Sequence, residues 1–404
     1  MRHLVSTRAT VLTVAGLAIG SFALDASADA VTDWNMKATD VIAEAKLGTP
    51  PAIRVIAIVQ TAVHDAVSGI PAQTPQAQAS MEAAVAAANR AVLVKLVPSQ
   101  QQGIEAAYNA SLARIDDGAA KSAGIATGER AAAAVLAARV DDGAAAPEAY
   151  RPSVVAGAYV PTSIPAVPQW PQRKPWSMTS AAQFRPVAPP ALSSDAWARD
   201  YSEVKALGSK TSTRRSAEQT DIARFWDYSL PPIYYGVVRS IALMPGRDVA
   251  SNARLYAATA QAMDDALIGV FDAKYHYGFW RPATAIRNGD NDGNDATERD
   301  AAWTPLIDAP MHPEYPSAHG SLAAAVGAVV KAEVGSGTMP VLTTTSPSAK
   351  GAARTWTTVE DFTREVGNAR IYGGIHYRTS TDVGAAMGKQ VGELTVAKFQ
   401  ALAQ

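Results

Sequence analysis

Ten prolines fall between residues 147 and 190, and this block limits what the chain can fold into more than any other feature. Each proline fixes φ and removes a backbone donor, so neither a helix nor a central strand can run through it. Trp170 and Trp176 make the segment too aromatic for a plain tether. The expectation is an extended strap over residues 147–193, lying on the surface. On either side the sequence reads as helix. Residues 31–146 carry stretches of helical period such as "SMEAAVAAANRAVLVKLV" and "GERAAAAVLAARV", with Gly and Pro kept to the joins. In residues 194–404 helices resume: Ser216 and Gln219 form a capping-box pattern, and "SNARLYAATAQAMDDALIGVFDAKYHYGFW" is long enough for about eight turns. The expected fold class is all-α, a large helical bundle with its polar chemistry in the last third.

Composition narrows the chemistry. The chain has 404 residues, 48% hydrophobic and 18% charged, enough for a large core. A formal net charge of −1 gives no general attraction to nucleic acid or anionic membrane, so affinity for anions must come from a local cluster of cations. There is no cysteine, which excludes disulfides, thiolate metal sites and a cysteine nucleophile. At the start, Arg2 and Arg8 precede "VLTVAGLAIGSFAL" and then "DASADA", the pattern of a secretory signal peptide over residues 1–30, cut near Ala28 or Ala30. No later segment is apolar for long enough to span a membrane. The mature chain is expected to be secreted or periplasmic.

Three short islands carry the candidate chemistry. In "KYHYGFWRP", Lys274 and Arg281 are seven apart, so on a continuing helix both project from one face and can converge on an anion; Pro282 argues that the helix ends at Arg281. The same residues also suit basic side chains snorkelling from an apolar face. In "HPEYPSAHG", Ser317 resembles a helix N-cap, and the free N–H groups at 317 to 320, Ala318 and Gly320 included, make an oxyanion cradle. His319 can hand a proton to a bound oxygen, or can be a satisfied histidine behind a capping serine. In "ARIYGGIHYRTSTD", Arg370 offers a planar fork to a tetrahedral oxyanion, and a neutral His376 can ligate a metal or attack phosphorus. The intervening Gly373 and Gly374 equally suit close packing. Acidic residues between 288 and 300 have some of the spacing of a calcium loop, but Gly293 is misplaced and no glutamate closes it, so a solvated loop is expected.

In this order, Lys-x6-Arg-Pro, Pro-Ser-x-His and Arg-x5-His resemble the signature of the vanadium-dependent haloperoxidase and type 2 phosphatidic acid phosphatase superfamily, most densely over residues 212–392. The resemblance implies two packed helical bundles, with Lys274, Arg281 and Arg370 neutralising bound vanadate or phosphate. It implies that Ser317 and a backbone N–H near Ala318 or Gly320 bond the anion's oxygens, that His319 is the acid–base residue, and that His376 is the axial ligand of vanadium or, in a phosphatase, the nucleophile. Length, the helical first half and the insertion "RNGDNDGNDATERD" look like the haloperoxidase branch. That branch uses vanadate as cofactor, takes hydrogen peroxide, halide and a small organic acceptor, and often pairs as a homodimer.

His312, five residues before Ser317, stands where bromoperoxidases of the family tend to have histidine, so it is the halide-tuning candidate and favours bromide. Two positions depart from the pattern. Ala318 stands where glycine is frequent, and Ser380 stands four after His376 where an aspartate often orients the histidine; Asp382 is the nearest acid in sequence. Those departures keep two alternatives open, a phosphomonoesterase working through a phosphohistidine at His376 and a non-catalytic oxyanion-binding protein.

Overall fold

The computed structural model describes residues 29–70 and 74–402; the signal-peptide segment lies outside them apart from Asp29 and Ala30. Five helices open the chain: α1 (Ala30–Glu44), α2 (Thr49–Ser68), α3 (Pro75–Leu96), α4 (Gln101–Leu112) and α5 (Ala119–Ala138). The Asp29 side chain caps α1 by accepting from the Thr32 N–H at 2.9 Å, and its other oxygen accepts from the Asn252 amide at 2.9 Å. On α5, a Cβ at Gly124 or Gly128 would collide with the Ser80 or Ala84 carbonyl, so these glycines let α5 lie against the α3 backbone.

After the strap come α6 (Asp195–Gly208), α7 (Ala217–Phe225), α8 (Pro231–Ala242), α9 (Val249–Tyr277), α10 (Pro282–Arg287), α11 (Ala318–Val334), α12 (Val359–Tyr372) and α13 (Arg378–Ala401). The capping box of Ser216 and Gln219 forms at the start of α7. α9 is the axis of the molecule: it is buried from Val249 to Lys274 with few breaks, and it packs on α2 from the first half and on α11 and α13 from the second. It does not continue to Arg281. Gly278 takes a left-handed φ of 57° and ends the helix by returning its N–H to the Lys274 carbonyl, so Lys274 and Arg281 sit on different elements. One departure from an all-helical chain is an antiparallel hairpin of β1 (Leu342–Ser346) and β2 (Ala352–Trp356), where three consecutive β-branched threonines alternate in and out and Thr344 packs against Gly236 of α8. No helix among the described residues is long and apolar enough to cross a membrane.

The strap has no α-helix, as its prolines require, and winds through turns and bends, with a 3-10 turn at Trp170–Gln172, rather than running extended throughout. Rather than only lying on the surface it buries Trp170 and Arg173, and carboxylates of α9 latch it down. Asp264 accepts from the Arg173 guanidinium and from the Trp176 indole at 2.8 Å. Asp265 accepts three backbone N–H bonds, from Trp176, Ser177 and Met178. Further along, Asp272 takes both ends of the Arg185 fork at 2.6 and 2.8 Å. The 288–300 loop is only partly solvated: Asp292 is buried and accepts from the Trp197 indole at 2.8 Å and the Thr297 hydroxyl at 2.7 Å.

α13 approaches α11 as α5 approaches α3. Gly384, Gly388 and Gly392, one turn apart, face the carbonyls of Ser317, Ser321 and Ala325, and a Cβ at any of them would meet that backbone. The Ser321 hydroxyl crosses the seam to the Gly384 carbonyl at 2.7 Å. Gly388→Ala is therefore expected to destabilise the fold by about 1–3 kcal/mol, read as a lowered denaturant midpoint. Arg173→Ala, which leaves the buried Asp264 carboxylate without a cation and Asp142 with Arg54 alone, is expected to cost about 3–5 kcal/mol in the same measurement.

Candidate active site

The three islands meet where the C-terminal end of α9 and the N-terminal ends of α10, α11 and α13 come together. Lys274, on the last turn of α9, is fully buried and donates to the carbonyls of Pro313 at 2.9 Å and Glu314 at 2.8 Å. Arg281, the N-cap residue of α10, donates through Nε to the His312 carbonyl at 3.0 Å and through Nη1 to the Ile375 carbonyl at 2.9 Å. Its Nη2 reaches His312 Nδ1 at 2.9 Å and its Nη1 reaches His376 Nε2 at 3.2 Å. Burial, ahead of the charge of Arg281, drives the Lys274 pKa well below the usual lysine value. Burial likewise lowers Arg281 and Arg370 to about 10, which leaves both protonated at neutral pH.

Glu314 is the residue that the sequence reading missed. Its Oε1 lies 2.6 Å from His376 Nδ1 and also accepts the Tyr377 N–H at 3.1 Å. Asp382, the nearest acid in sequence, makes no hydrogen bond to His376, and Ser380 contributes only a hydroxyl 3.4 Å from Nδ1. The reason is geometric. Glu314 enters from the loop ahead of α11 and reaches across 62 positions of sequence, whereas Asp382 lies further along α13. A signal was present, since Glu314 is the one carboxylate inside "HPEYPSAHG".

The contacts settle the tautomer of His376. An arginine can only donate, so Nε2 facing Arg281 must be unprotonated and Nδ1 must carry the proton toward Glu314. Burial pushes the Glu314 carboxyl up to about 7, with Arg281 and Lys274 pulling it back. Burial and the same cations hold His376 well below its usual value and therefore neutral. His312 Nδ1 lies between Arg281 Nη2 at 2.9 Å and the Pro313 carbonyl at 3.1 Å, and its ring stands edge-on to Phe271 with centroids 5.1 Å apart.

Ser317 is the N-cap of α11, its N–H tied to the Ser380 carbonyl at 3.0 Å and its Oγ accepting from the Gly320 N–H at 3.4 Å. That occupies the Gly320 N–H expected for the anion. The cradle at the helix start is left to the N–H groups of Ala318 and His319 and the Ser317 hydroxyl proton. The methyl of Ala318 is accommodated at 9% exposure as part of the hydrophobic core.

His319 is buried with Nε2 unpartnered, and burial, then Arg370, Lys274 and Arg281, keep it well below its usual pKa. Arg370, on the last turn of α12, donates to the Trp226 carbonyl and leaves Nε without a partner. Lys274, Arg281, His312 and His376 thus form one hydrogen-bonded group around Glu314. His319 and Arg370 belong to it through charge, with no hydrogen bond to the other candidates among the described residues.

The donor set would suit an oxyanion whose charge is balanced by the cations and which one imidazole, that of His376, would ligate. Lys274 and Arg281 share the one carboxylate of Glu314, polar atoms of His319 and Arg370 are unpartnered, and His376 turns an unprotonated nitrogen toward Arg281. Among the described residues no cluster of three or more His, Asp or Glu is placed as a cage for a metal cation.

Residues 254–404 match the family described as the VCPO second helical-bundle domain. No curated protein matches the sequence. Among solved structures, one described as the first bacterial vanadium-dependent iodoperoxidase is similar with a TM-score of 0.74 at 23% identity, over 92% of this chain and 95% of that one. An apo-type bacterial vanadium-dependent chloroperoxidase is similar at 0.73 and 20% identity, over 88% of this chain and 94% of that one. A holo-type bacterial vanadium-dependent chloroperoxidase is similar at 0.73 and 18%, over 88% and 93%. The likeness to that helical-bundle family is carried by residues 254–404, and the fold of the chain as a whole is that of these three solved structures.

Proposed function

We propose that this protein is a vanadate-dependent haloperoxidase, converting halide, hydrogen peroxide and a proton into hypohalous acid and water. The observation that carries the reading is the unprotonated Nε2 of His376, turned toward Arg281 by the bond from Nδ1 to Glu314. Vanadate, when bound, supplies an electrophilic centre that activates peroxide toward halide. The chain supplies the rest. Lys274, Arg281 and Arg370 balance the anion's charge, and Ser317 with the Ala318 N–H fixes its oxygens. His319, neutral at rest with a free Nε2, takes a proton from incoming peroxide and returns it to the departing oxygen. His312, against Phe271 and Arg281, lines the approach of the halide, and bromide is the halide proposed.

Export is part of the same proposal, with cleavage after Ala28. A cut after Ala30 would remove Asp29, which caps α1 and binds Asn252.

The deciding experiment loads the purified protein with orthovanadate and follows bromination of monochlorodimedone with peroxide present; vanadate-dependent turnover that His376→Ala abolishes is expected. Hydrolysis of p-nitrophenyl phosphate without vanadate, lost in the same variant, would instead make His376 a phosphohistidine nucleophile. Neither activity, with tight phosphate binding, would make this an oxyanion-binding protein. A second expectation concerns Glu314→Gln. Loss of the carboxylate that orients His376 should weaken vanadate binding by about 10–100-fold, measured by titrating vanadate into the apoprotein, with the helical circular dichroism unchanged.

A further inference from the structure

Arg281 has a second side. A cleft of about 220 Å³ ends on it, walled by Tyr159 of the strap, by Thr284, Arg287 and Asn288 of α10 and its C-cap, and by Met311. The strap wall is built in. The Tyr159 N–H donates to the Gly278 carbonyl, the Trp280 N–H to the Gly157 carbonyl and the Ala166 N–H to the Met311 carbonyl, at 2.6, 2.9 and 2.6 Å. Tyr159 is 5% exposed and gives the cleft an aromatic face. The polarity is one-sided. Two arginines line the cleft and no carboxylate does, and Arg287 has no ion-pair partner among the described residues, its Nε going to the Trp303 carbonyl at 2.8 Å.

We propose that this cleft is the subsite for the organic acceptor and that it takes a single aromatic ring bearing a carboxylate. The volume equals about seven waters at roughly 30 Å³ each, room for one substituted ring but not a fused polycycle. Arg287 is placed for the anionic group and the Tyr159 face for the ring, while Arg281, whose donors are taken by residues 312, 313, 375 and 376, closes the cleft and adds only its charge. As an acceptor the subsite rests on the haloperoxidase reading; as a binding site it does not. Hypohalous acid formed beyond Arg281 would meet a ring held a few ångströms away. The halogen would form the carbon–halogen bond, and the ring proton would leave with hydroxide as water.

The test is calorimetric titration of the full protein, without peroxide, with para-hydroxybenzoate and its neutral analogue para-hydroxyacetophenone, in the presence of saturating inorganic phosphate. The carboxylate is expected to bind more tightly than the neutral ring. Arg287→Gln is expected to weaken it about tenfold, the loss of one charge-assisted contact, and Arg287→Lys to restore most of that, while the neutral analogue changes less than about twofold. Three results would overturn the subsite: no binding to the wild-type protein, equal binding to Arg287→Gln, or displacement by phosphate, which would place the carboxylate in the oxyanion cradle. Failure of vanadate-dependent bromination would count against the reaction alone, since this titration needs no turnover.

Discussion

Lys274, Arg281 and Arg370 are buried at the site, and Glu314, the one buried carboxylate beside Lys274 and Arg281, is already committed to His376. Lys274 and Arg281 are solvated instead by backbone carbonyls at 312, 313, 314 and 375. Carbonyl dipoles satisfy hydrogen bonds without cancelling charge, so the site keeps a positive potential in a region of low dielectric. Burial, and then this potential, lowers the pKa of His312, His319 and His376. It also orders the loop. "HPEYPSAHG" cannot take its path without the cations that bind its carbonyls, and the cations cannot be buried without the loop.

Charge is used in the opposite way a few turns back on the same helix. Asp264, Asp265 and Asp272 of α9 are matched by arginines and N–H groups of the strap, so that region is compensated and serves attachment. The strap in turn covers the end of α9 through its bonds to residues 278 and 280 and lends Tyr159 to the cleft beside Arg281. Close helix contact completes the frame. The glycine row of α13 lies against Ser317, Ser321 and Ala325, so the start of α11 is positioned by backbone contact rather than by adjustable side chains.

Much of this was legible in the sequence. Helical period located the helices, the prolines marked the one long stretch without an α-helix, and the order of three polar islands pointed to an oxyanion site. Each is a local property, set by a residue's own backbone preferences or by neighbours three or four positions away. What the tertiary structure alone decided is which groups meet. It set Glu314 rather than Asp382 behind His376, spent the Gly320 N–H on a cap, ended α9 before Arg281 and buried Asp292 under Trp197. These partners are separated by tens of residues or compete with equally plausible neighbours. The choice among them follows from how close the helices pack and which buried polar atoms must then be satisfied, which no spacing along the chain encodes.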